Sequence, residues 1–357
     1  MTTFRSHKKT RIFLSLLLTA GITALAFLPS LDNDFVNYDD PLYLQENLKI
    51  RDLSPDNILH IFTSDHIGGY EPLTEFSFAV EYHFFELDPF PYHLTNLVFH
   101  IFNSLLVFGL IYQISRSMPV ALITALLFGI HPVHVESVAW VAERKDVLYS
   151  FFFLGALSLY CIYLRTRSFR YYLVALILCF LSFLPKPQGV LFPLLLLLFD
   201  WFRGRRFTLP VLAEKIPFFL ISGVFIYINL TCQLAVGNLS GSSFRITGES
   251  FFNAAYGLFL YCNKIVFPIR LSSFYPYPAR AGGILPHLSF LAPIAVLSLT
   301  AVVARTLRHT RRIAFGAIFF LINLLAVIQI IPTGPSIAAD RYTYIPTIGL
   351  FYLAGAG

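Results

Sequence analysis

The sequence predicts an all-α, polytopic membrane protein, and three observations support this fold class. Hydrophobic residues account for 56% of the 357-residue chain, whereas charged residues account for only 13%. Soluble domains usually contain about 25% charged residues. The apolar residues also fall into runs long enough to cross a bilayer, separated by polar loops. The net charge of +6 is explained by basic loops that remain in the cytoplasm, so it does not indicate a nucleic-acid-binding protein.

About ten apolar segments are predicted to cross the membrane. The first, 12–31, follows the basic stretch 5–11 and is too long for a cleaved signal peptide, so the N-terminus is placed in the cytoplasm. The remaining predicted spans are 93–115, 119–138, 146–164, 171–185, 188–202, 211–236, 284–304, 313–332 and a last one that starts near residue 344.

A further apolar segment, 251–268, is predicted to lie in the outer interface or to enter the membrane and return. If it crossed, one of the basic clusters 203–206 and 305–312 would be outside, against the rule that positive loops stay inside. Polar residues within the segment, such as Lys264, also suit an interfacial position.

The predicted topology concentrates carboxylates on the outer face. Of 20 acidic residues, only Asp200 and Glu214 fall in cytoplasmic loops. Acidic residues contribute little to helix orientation, so insertion alone does not explain this bias. The long first outer loop, 32–92, contains two predicted interfacial helices, at 53–65 and 70–87. Chemistry that needs carboxylates is therefore expected on the outer side.

Two adjacent carboxylates, Asp39 and Asp40, occur in "FVNYDDPLYL" near the start of this loop. A structural interpretation has Asp40 cap a short helix that begins at Pro41. That interpretation leaves Asp39 unexplained. A functional interpretation has a carboxylate at the membrane surface take a proton from an incoming hydroxyl group. The residues alone leave both interpretations open.

A second dense cluster, "GIHPVHVESVAWVAERKDVL" at 129–148, contains His131, His134 and Glu136. Their spacing suggests metal ligands, but a proline interrupts the helix between the histidines, and His and Trp are common at the ends of spans. Arg144 and Lys145 lie on the predicted outer side, where basic groups bind lipid phosphates. The alternative for these two cations is a pair of local ion pairs with Glu143 and Asp146, which contribute little to stability.

Two more outer loops present cations. Lys186 lies between two prolines in "LPKPQGV", and Arg341 follows Asp340 in "AADRYTYIP". The prolines end one helix and begin the next, so Lys186 is expected to be held rigidly. We expect both cations to be exposed at the interface, where substitution has little effect on folding.

Four stretches, "FVNYDDPLYL", "HPVHVESVAWVAERKDVL", "FYPYP" and "ADRYTYIP", together resemble a known family. In the same order, they are similar to the membrane domain of the transmembrane and tetratricopeptide-repeat O-mannosyltransferases and their bacterial relatives. The resemblance runs from about residue 32 to the end. It implies one GT-C-like membrane domain over 1–357. It also implies inverting transfer of a sugar, mannose in the family, from a polyprenyl-phosphate donor to a hydroxyl group of a protein or glycan.

The resemblance also assigns roles to residues. The catalytic carboxylates fall on Asp39, as the general base, and Asp40, which orients it or helps to bind a divalent metal ion. The donor phosphate would be bound by four cations, and three other residues would line the site or its outer wall. The cations are Arg144, Lys145, Lys186 and Arg341, and the lining residues are His131, His134 and Glu136.

The chain departs from the family pattern at two places. Relatives usually have Lys-Glu-Gln-Gly where this chain has Lys186 followed by Pro187, so an acidic group is missing beside the lysine. The chain also stops at Gly357 inside an apolar run, so the C-terminal repeat domain of the family is expected to be absent.

Two other classes of function stay open alongside the glycosyltransferase. One is a transporter or flippase of the lipid-linked sugar, although coupled carriers usually need ionisable residues at mid-depth, where these spans contain almost none. The other is a non-catalytic membrane scaffold, which would not require Asp39. The expected location is a bacterial inner membrane with the site facing the periplasm, or else an endoplasmic reticulum membrane with a lumenal site.

Overall fold

The computed structural model describes residues 2–235, 248–278, 287–330 and 336–357, and these residues form an almost entirely helical protein. Strand β1 (Tyr275–Pro276) pairs antiparallel with β2 (Ser336–Ala338). The predicted all-α class is confirmed. The α-helices are α1 Thr2–Phe27, α2 Pro55–Thr63, α3 Pro72–Phe85, α4 Pro89–Ser115, α5 Met118–Ile130, α6 Val135–Ala139, α7 Arg144–Thr166, α8 Phe169–Phe183, α9 Phe192–Phe202, α10 Leu209–Ala213, α11 Ile216–Ala235, α12 Gly248–Val266, α13 His287–Thr306, α14 Arg311–Leu324 and α15 Thr347–Ala356.

Helix length and composition identify an integral membrane protein. Within the described ranges, four helical stretches are long and apolar enough to cross a bilayer, namely His7–Asp32, Pro89–Ser115, Val141–Thr166 and Leu209–Ala235. Helix α5 and the following Pro132–Ala139 make a fifth if they are counted as one span, bent by 51°. Other apolar helices, such as α8, are shorter. The count of ten spans stays a prediction, as does the interfacial position of segment 251–268, most of which forms α12.

Prolines set where many helices begin. Pro55 is the first residue of α2, and the hydroxyl of Ser54 accepts a hydrogen bond from the backbone N–H of Asn57. This is the N-cap arrangement that the sequence predicts. Pro132 has a different effect, because a proline has no backbone N–H to donate to the helix. Helix α5 therefore ends at Ile130, just before this proline. These breaks leave short connections on the side of the molecule where the predicted site residues lie.

The main core is formed by α1, α4, α5, α7 and α15, which pack side by side, with α8, α9, α11 and α14 around them. Its centre is aromatic, with Phe108, Phe128 and Phe153 almost fully buried. The large apolar rings fill the space between the helices, while leucine and isoleucine side chains cover the outside, as expected for a surface in contact with lipid.

Helices α14 and α15 approach each other closely at Gly316 and Gly349. A Cβ added at Gly316 would lie 2.6 Å from the carbonyl oxygen of Gly349, and a Cβ at Gly349 would collide with the carbonyl oxygen of Gly316. Small residues at helix contacts let two backbones touch, which is a common way to pack helices within a membrane. A side chain at either position would push the helices apart.

The outer loop 32–92 has a small core of its own. Tyr43, Ile61, Phe78 and Tyr92 are buried together, and they pack against Trp140 from the segment between α6 and α7. The loop is therefore a compact cap fixed to the helical bundle. The site lies where this cap meets the helix ends.

Candidate active site

A cavity of about 490 Å³ lies beneath the cap and receives charged side chains from five separate stretches of the chain. Three of these residues are basic and three are acidic. They are Lys145, Lys186 and Arg341, with Asp39, Glu71 and Glu143. The structure thus brings together Asp39 and three of the four cations that the sequence nominates.

Asp40 fixes the position of its neighbour Asp39. Asp40 is fully buried, and its two carboxylate oxygens accept hydrogen bonds from the backbone N–H groups of Val36, at 2.7 Å, and Ala142, at 2.8 Å. Asp40 directly precedes the short helix Pro41–Gln45, but its side chain makes no capping hydrogen bond to that helix. The capping interpretation is therefore wrong, because Asp40 instead ties the loop to the segment before α7.

The placement of Asp40 also bears on the suggested metal ion. Its oxygens are directed at backbone N–H groups, and the residue does not line the cavity. Among the residues that the structure describes, no group of three or more His, Cys, Asp and Glu side chains is arranged to bind a metal ion. The geometry assigns Asp40 a positioning role.

Asp39 is half-buried at the cavity wall. Burial raises the pKa of Asp39 above its usual value of 3.8, Lys145 opposes this rise, Glu143 adds to it, and Arg341 opposes it. A carboxylate with a raised pKa accepts a proton more readily than an exposed one, provided that it is ionised at the working pH.

The three cations of the cavity converge on one carboxylate. Glu143 lies 3.7 Å from the Lys145 ammonium, 3.5 Å from the Lys186 ammonium and 3.3 Å from Nε of Arg341. A buried carboxylate in contact with three cations holds them close to one another despite their mutual repulsion. Glu143 is thus the centre of the cluster. The sequence suggests it only as a partner for Arg144.

Two further acidic residues form ion pairs with Lys186 and Arg341. The Lys186 ammonium lies 2.5 Å from Oδ1 of Asp146, and a guanidinium nitrogen of Arg341 lies 2.5 Å from Oε1 of Glu136. Burial lowers the pKa of Lys186, but Asp146 and Glu143 raise it by more, so the net shift is upward and the ammonium stays charged. Asp146 and Glu143 thereby supply the acidic partner that is missing from the Lys-Pro-Gln-Gly stretch.

The expectation that these cations are exposed is wrong. Lys186 is only 8% exposed, because its side chain points into the protein toward buried carboxylates. Arg341 is also largely covered, with its side chain 18% exposed. Their substitution is therefore expected to affect folding as well as any ligand.

Lys145 is linked to the cap through Tyr43. Its ammonium donates a hydrogen bond to the Tyr43 hydroxyl at 3.3 Å and lies 4.8 Å from the centre of that ring. The Tyr43 hydroxyl in turn donates to Oε2 of Glu71 at 2.8 Å. Glu71 is a second cavity residue that no sequence motif indicates, although it belongs to the acidic outer loop.

Arg144 is directed away from the cavity. It is fully buried in the cap, where it pairs with Glu81 at 3.0 Å, donates to the carbonyl oxygen of Tyr92 at 2.8 Å and contacts Asn96. Successive residues of a helix point about 100° apart, so the first two residues of α7, Arg144 and Lys145, face different surroundings. The predicted contact between Arg144 and a donor phosphate is not supported.

The two histidines of the second cluster also lie outside the cavity. His134 is buried and is hydrogen-bonded to the carbonyl oxygen of Phe128 at 2.8 Å and to the Thr347 hydroxyl at 3.0 Å. His131 is hydrogen-bonded to the carbonyl oxygen of Ile265 at 2.9 Å. Because the helix breaks at Pro132, both rings turn into contacts between helices instead of lining the site. Glu136 does not line the cavity, but it contacts Arg341, which does.

Part of the cavity wall is apolar. Val190, Ile226, Leu230, Ala326 and Val327 come from the chain near α9, α11 and α14. The cavity therefore combines charged groups with aliphatic lining residues. This combination suits a molecule that carries both a phosphate and a hydrocarbon chain.

Known proteins with similar sequences share one description. The chain is 31% identical over 251 residues to protein O-mannosyl-transferase tmtc2 of Xenopus laevis, which covers 66% of this chain and 29% of that protein. It is 23% identical over 360 residues to protein O-mannosyl-transferase F38B6.6 of Caenorhabditis elegans, which covers 95% and 50%. The chain is a homologue of protein O-mannosyl-transferases. The resemblance inferred from the four motifs is confirmed.

The similarity to protein O-mannosyl-transferases has clear bounds. Human protein O-mannosyl-transferase TMTC3 is 30% identical over 220 residues, which are 57% of this chain and 23% of TMTC3. The chain thus spans half or less of the length of these relatives. No protein-family model matches the chain, and no solved structure matches it.

Proposed function

We propose that this protein is a glycosyltransferase of the GT-C type that moves mannose from a polyprenyl-phosphate donor to a Ser or Thr hydroxyl group of a protein. The observation that carries the proposal is one cavity that contains Asp39 together with Lys145, Lys186 and Arg341. The relatives named protein O-mannosyl-transferases support the choice of sugar and acceptor.

The proposed reaction is a single displacement at C1 of the sugar. Asp39 takes the proton of the acceptor hydroxyl group as the hydroxyl oxygen forms a bond to C1. The bond between C1 and the phosphate oxygen breaks, and the polyprenyl phosphate leaves with the electron pair. One displacement inverts the configuration at C1. Lys145, Lys186 and Arg341 stabilise the negative charge that develops on the leaving phosphate.

The carboxylates around the cations prepare this arrangement before the donor binds. Glu136, Glu143 and Asp146 hold the guanidinium and the two ammonium groups in place, so little reorganisation is needed when a phosphate arrives. When ionised, these three carboxylates equal in number the three cations that they contact.

The proposed membrane arrangement follows from the same residues. Lys145 is the second residue of α7, Lys186 precedes the helical turn Pro187–Leu191, and Arg341 precedes α15. With ten spans and the basic loops inside, all three helix starts face outward. The proposed location is a bacterial inner membrane with a periplasmic site, and an endoplasmic reticulum membrane with a lumenal site is the alternative. The position of the cluster at the helix ends favours an enzyme over a carrier, which needs ionisable groups at mid-depth.

The test uses the full chain, purified in lipid nanodiscs, with mannosyl phosphoryl prenol labelled in the sugar and a Ser- and Thr-rich acceptor protein. We expect labelled acceptor and free prenyl phosphate in equal amounts. Asp39→Asn should lower the transfer rate by about 100- to 10,000-fold while keeping donor binding, because it removes basicity and preserves size. If the parent protein releases no prenyl phosphate from this donor or from matched glucosyl and galactosyl donors, the proposal is wrong.

A further inference from the structure

Two amide side chains on the cavity wall play no part in the reaction described above. Gln188 lies in the turn Pro187–Leu191, and Asn229 lies in α11. Both are half-buried and face the cavity. Neither has a hydrogen-bond partner among the residues that the structure describes. A side-chain amide offers two donors and an acceptor, so these groups are available to a ligand.

Asn229 is notable because of its helix. Helix α11 belongs to one of the stretches long and apolar enough to cross the membrane, and an unpaired amide in such a helix is costly unless it faces a polar cavity. Ile226, Asn229, Leu230 and Gln233 follow the spacing of one helix face, and all four line the cavity. The polar and apolar members of this face alternate along the wall.

Gln233 fixes this helix face against the cap. Its side-chain amide nitrogen donates a hydrogen bond to the carbonyl oxygen of Gly68 at 2.8 Å. Gly68 belongs to the tight turn that ends at Gly69, another cavity residue. The wall that bears Asn229 is therefore held at a set distance from the residues of the outer loop.

We propose that Gln188 and Asn229 form a subsite that recognises hydroxyl groups of the donor sugar. The inference rests on the proposed function. Gln188 is two residues from Lys186, and the sugar is joined directly to the phosphate that Lys186 would contact. The sugar would therefore occupy the same cavity, whose wall carries both amides. An amide donates to one hydroxyl group and accepts from the next, a pattern suited to neighbouring hydroxyl groups of a pyranose.

The test compares two ligands that differ only in the sugar, prenyl phosphate and mannosyl phosphoryl prenol. Each is titrated into the purified full chain in nanodiscs, with binding measured by calorimetry. Asn229→Leu should weaken binding of the mannosyl ligand by about three- to tenfold, the usual effect of one lost hydrogen bond, and leave prenyl phosphate binding unchanged. Gln188→Leu should do the same.

Thr231→Val serves as the matched control. Thr231 is two residues from Asn229 on an exposed part of α11, and its hydroxyl donates to the carbonyl oxygen of Ile228 in the same helix. It should change neither affinity. Mannosyl donors that lack one hydroxyl group give a second measurement. The parent should bind one of them more weakly, and Asn229→Leu should remove that difference.

The possible failures of this test are distinct. If the parent binds neither prenyl ligand, both the proposed function and this inference are wrong. If the parent prefers the mannosyl ligand and both leucine variants keep that preference, only the subsite is wrong. If the variants weaken both ligands equally, the amides contact the phosphate or shape the cavity, and the sugar assignment is again wrong. An effect on the KM for the acceptor protein alone would also overturn it.

Discussion

The carboxylate of Asp40 accepts a hydrogen bond from the backbone N–H of Ala142, 102 residues further along the chain. This bond joins the first outer loop to the segment just before Glu143 and Lys145. It accounts for the presence of Asp39 and those two residues in one cavity. The two adjacent aspartates therefore have separate tasks, one structural and one facing the site.

This division of tasks predicts opposite phenotypes for two similar substitutions. Asp40→Asn replaces one of two acceptor oxygens with an amide group that cannot accept from a backbone N–H, so the free energy of unfolding should fall by about 1–3 kcal/mol. Asp39→Asn should leave the fold intact, because the two backbone N–H groups are bonded to Asp40 and not to Asp39. Thermal unfolding of both variants in the same detergent measures the difference. Equal thermal stability of the two variants would contradict the assignment.

The transfer reaction should have an acidic limit set by Asp39. Burial raises the pKa of Asp39 above 3.8, and the base must be ionised to accept a proton, so the rate should fall as the pH drops through this raised pKa. Lys145 lowers the pKa of Asp39. Lys145→Met should therefore move the acidic limit to higher pH. The measurement is kcat/KM from about pH 4 to pH 8, a range that brackets ordinary and raised aspartate values. A shift to lower pH in Lys145→Met would contradict the role of Asp39.

Arg144 and Lys145 are adjacent but should behave differently when substituted. Arg144→Met leaves Glu81 as an unpaired buried charge, which typically costs about 3–5 kcal/mol. The double variant Arg144→Met with Glu81→Met should recover part of this loss, because no charge remains unpaired. Chemical unfolding of the three proteins measures both effects. In the folded double variant, affinity for prenyl phosphate should match that of the parent. A weaker affinity would indicate that Arg144 does contribute to phosphate binding.

Membrane orientation can be tested with single cysteines in a variant whose four native cysteines are replaced by alanine. His60 lies in the cap and Arg206 in a predicted cytoplasmic loop, and both side chains are exposed. A cysteine at 60 should react with an impermeant thiol reagent added to intact cells, and a cysteine at 206 should react only after lysis. Reaction of 206 in intact cells would overturn the orientation.

The sequence predicts the helical class and the segments of the site better than it predicts the partners within the site. Composition and apolar runs are sufficient for the fold class, since a bilayer leaves few alternatives to helices. Three of the four motifs nominate Asp39, Lys145 and Arg341, and the separate stretch "LPKPQGV" nominates Lys186. All four residues line one cavity.

The pairing of charges was not predictable from local spacing. Neighbours in sequence suggested Glu143 with Arg144 and Lys145 with Asp146. In the structure, Arg144 pairs with Glu81 and Asp146 pairs with Lys186. These partners come from segments far away in the chain, and a helix turns adjacent side chains in different directions. The roles of Glu143 and Glu71 require the packing of the cap on the bundle, which no local pattern encodes.

The contact between Gly316 and Gly349 helps to set the position of cavity residues that neither glycine touches. Ala326 and Val327 follow helix α14, and Arg341 precedes α15, so the two helices that touch at the glycines also position these residues of the cavity wall. A methyl group added to either glycine would change the spacing of those parts without contacting any ligand. Harmful natural variation in this protein is therefore expected to include small substitutions deep in the bundle, at positions that a map of site residues alone would classify as neutral.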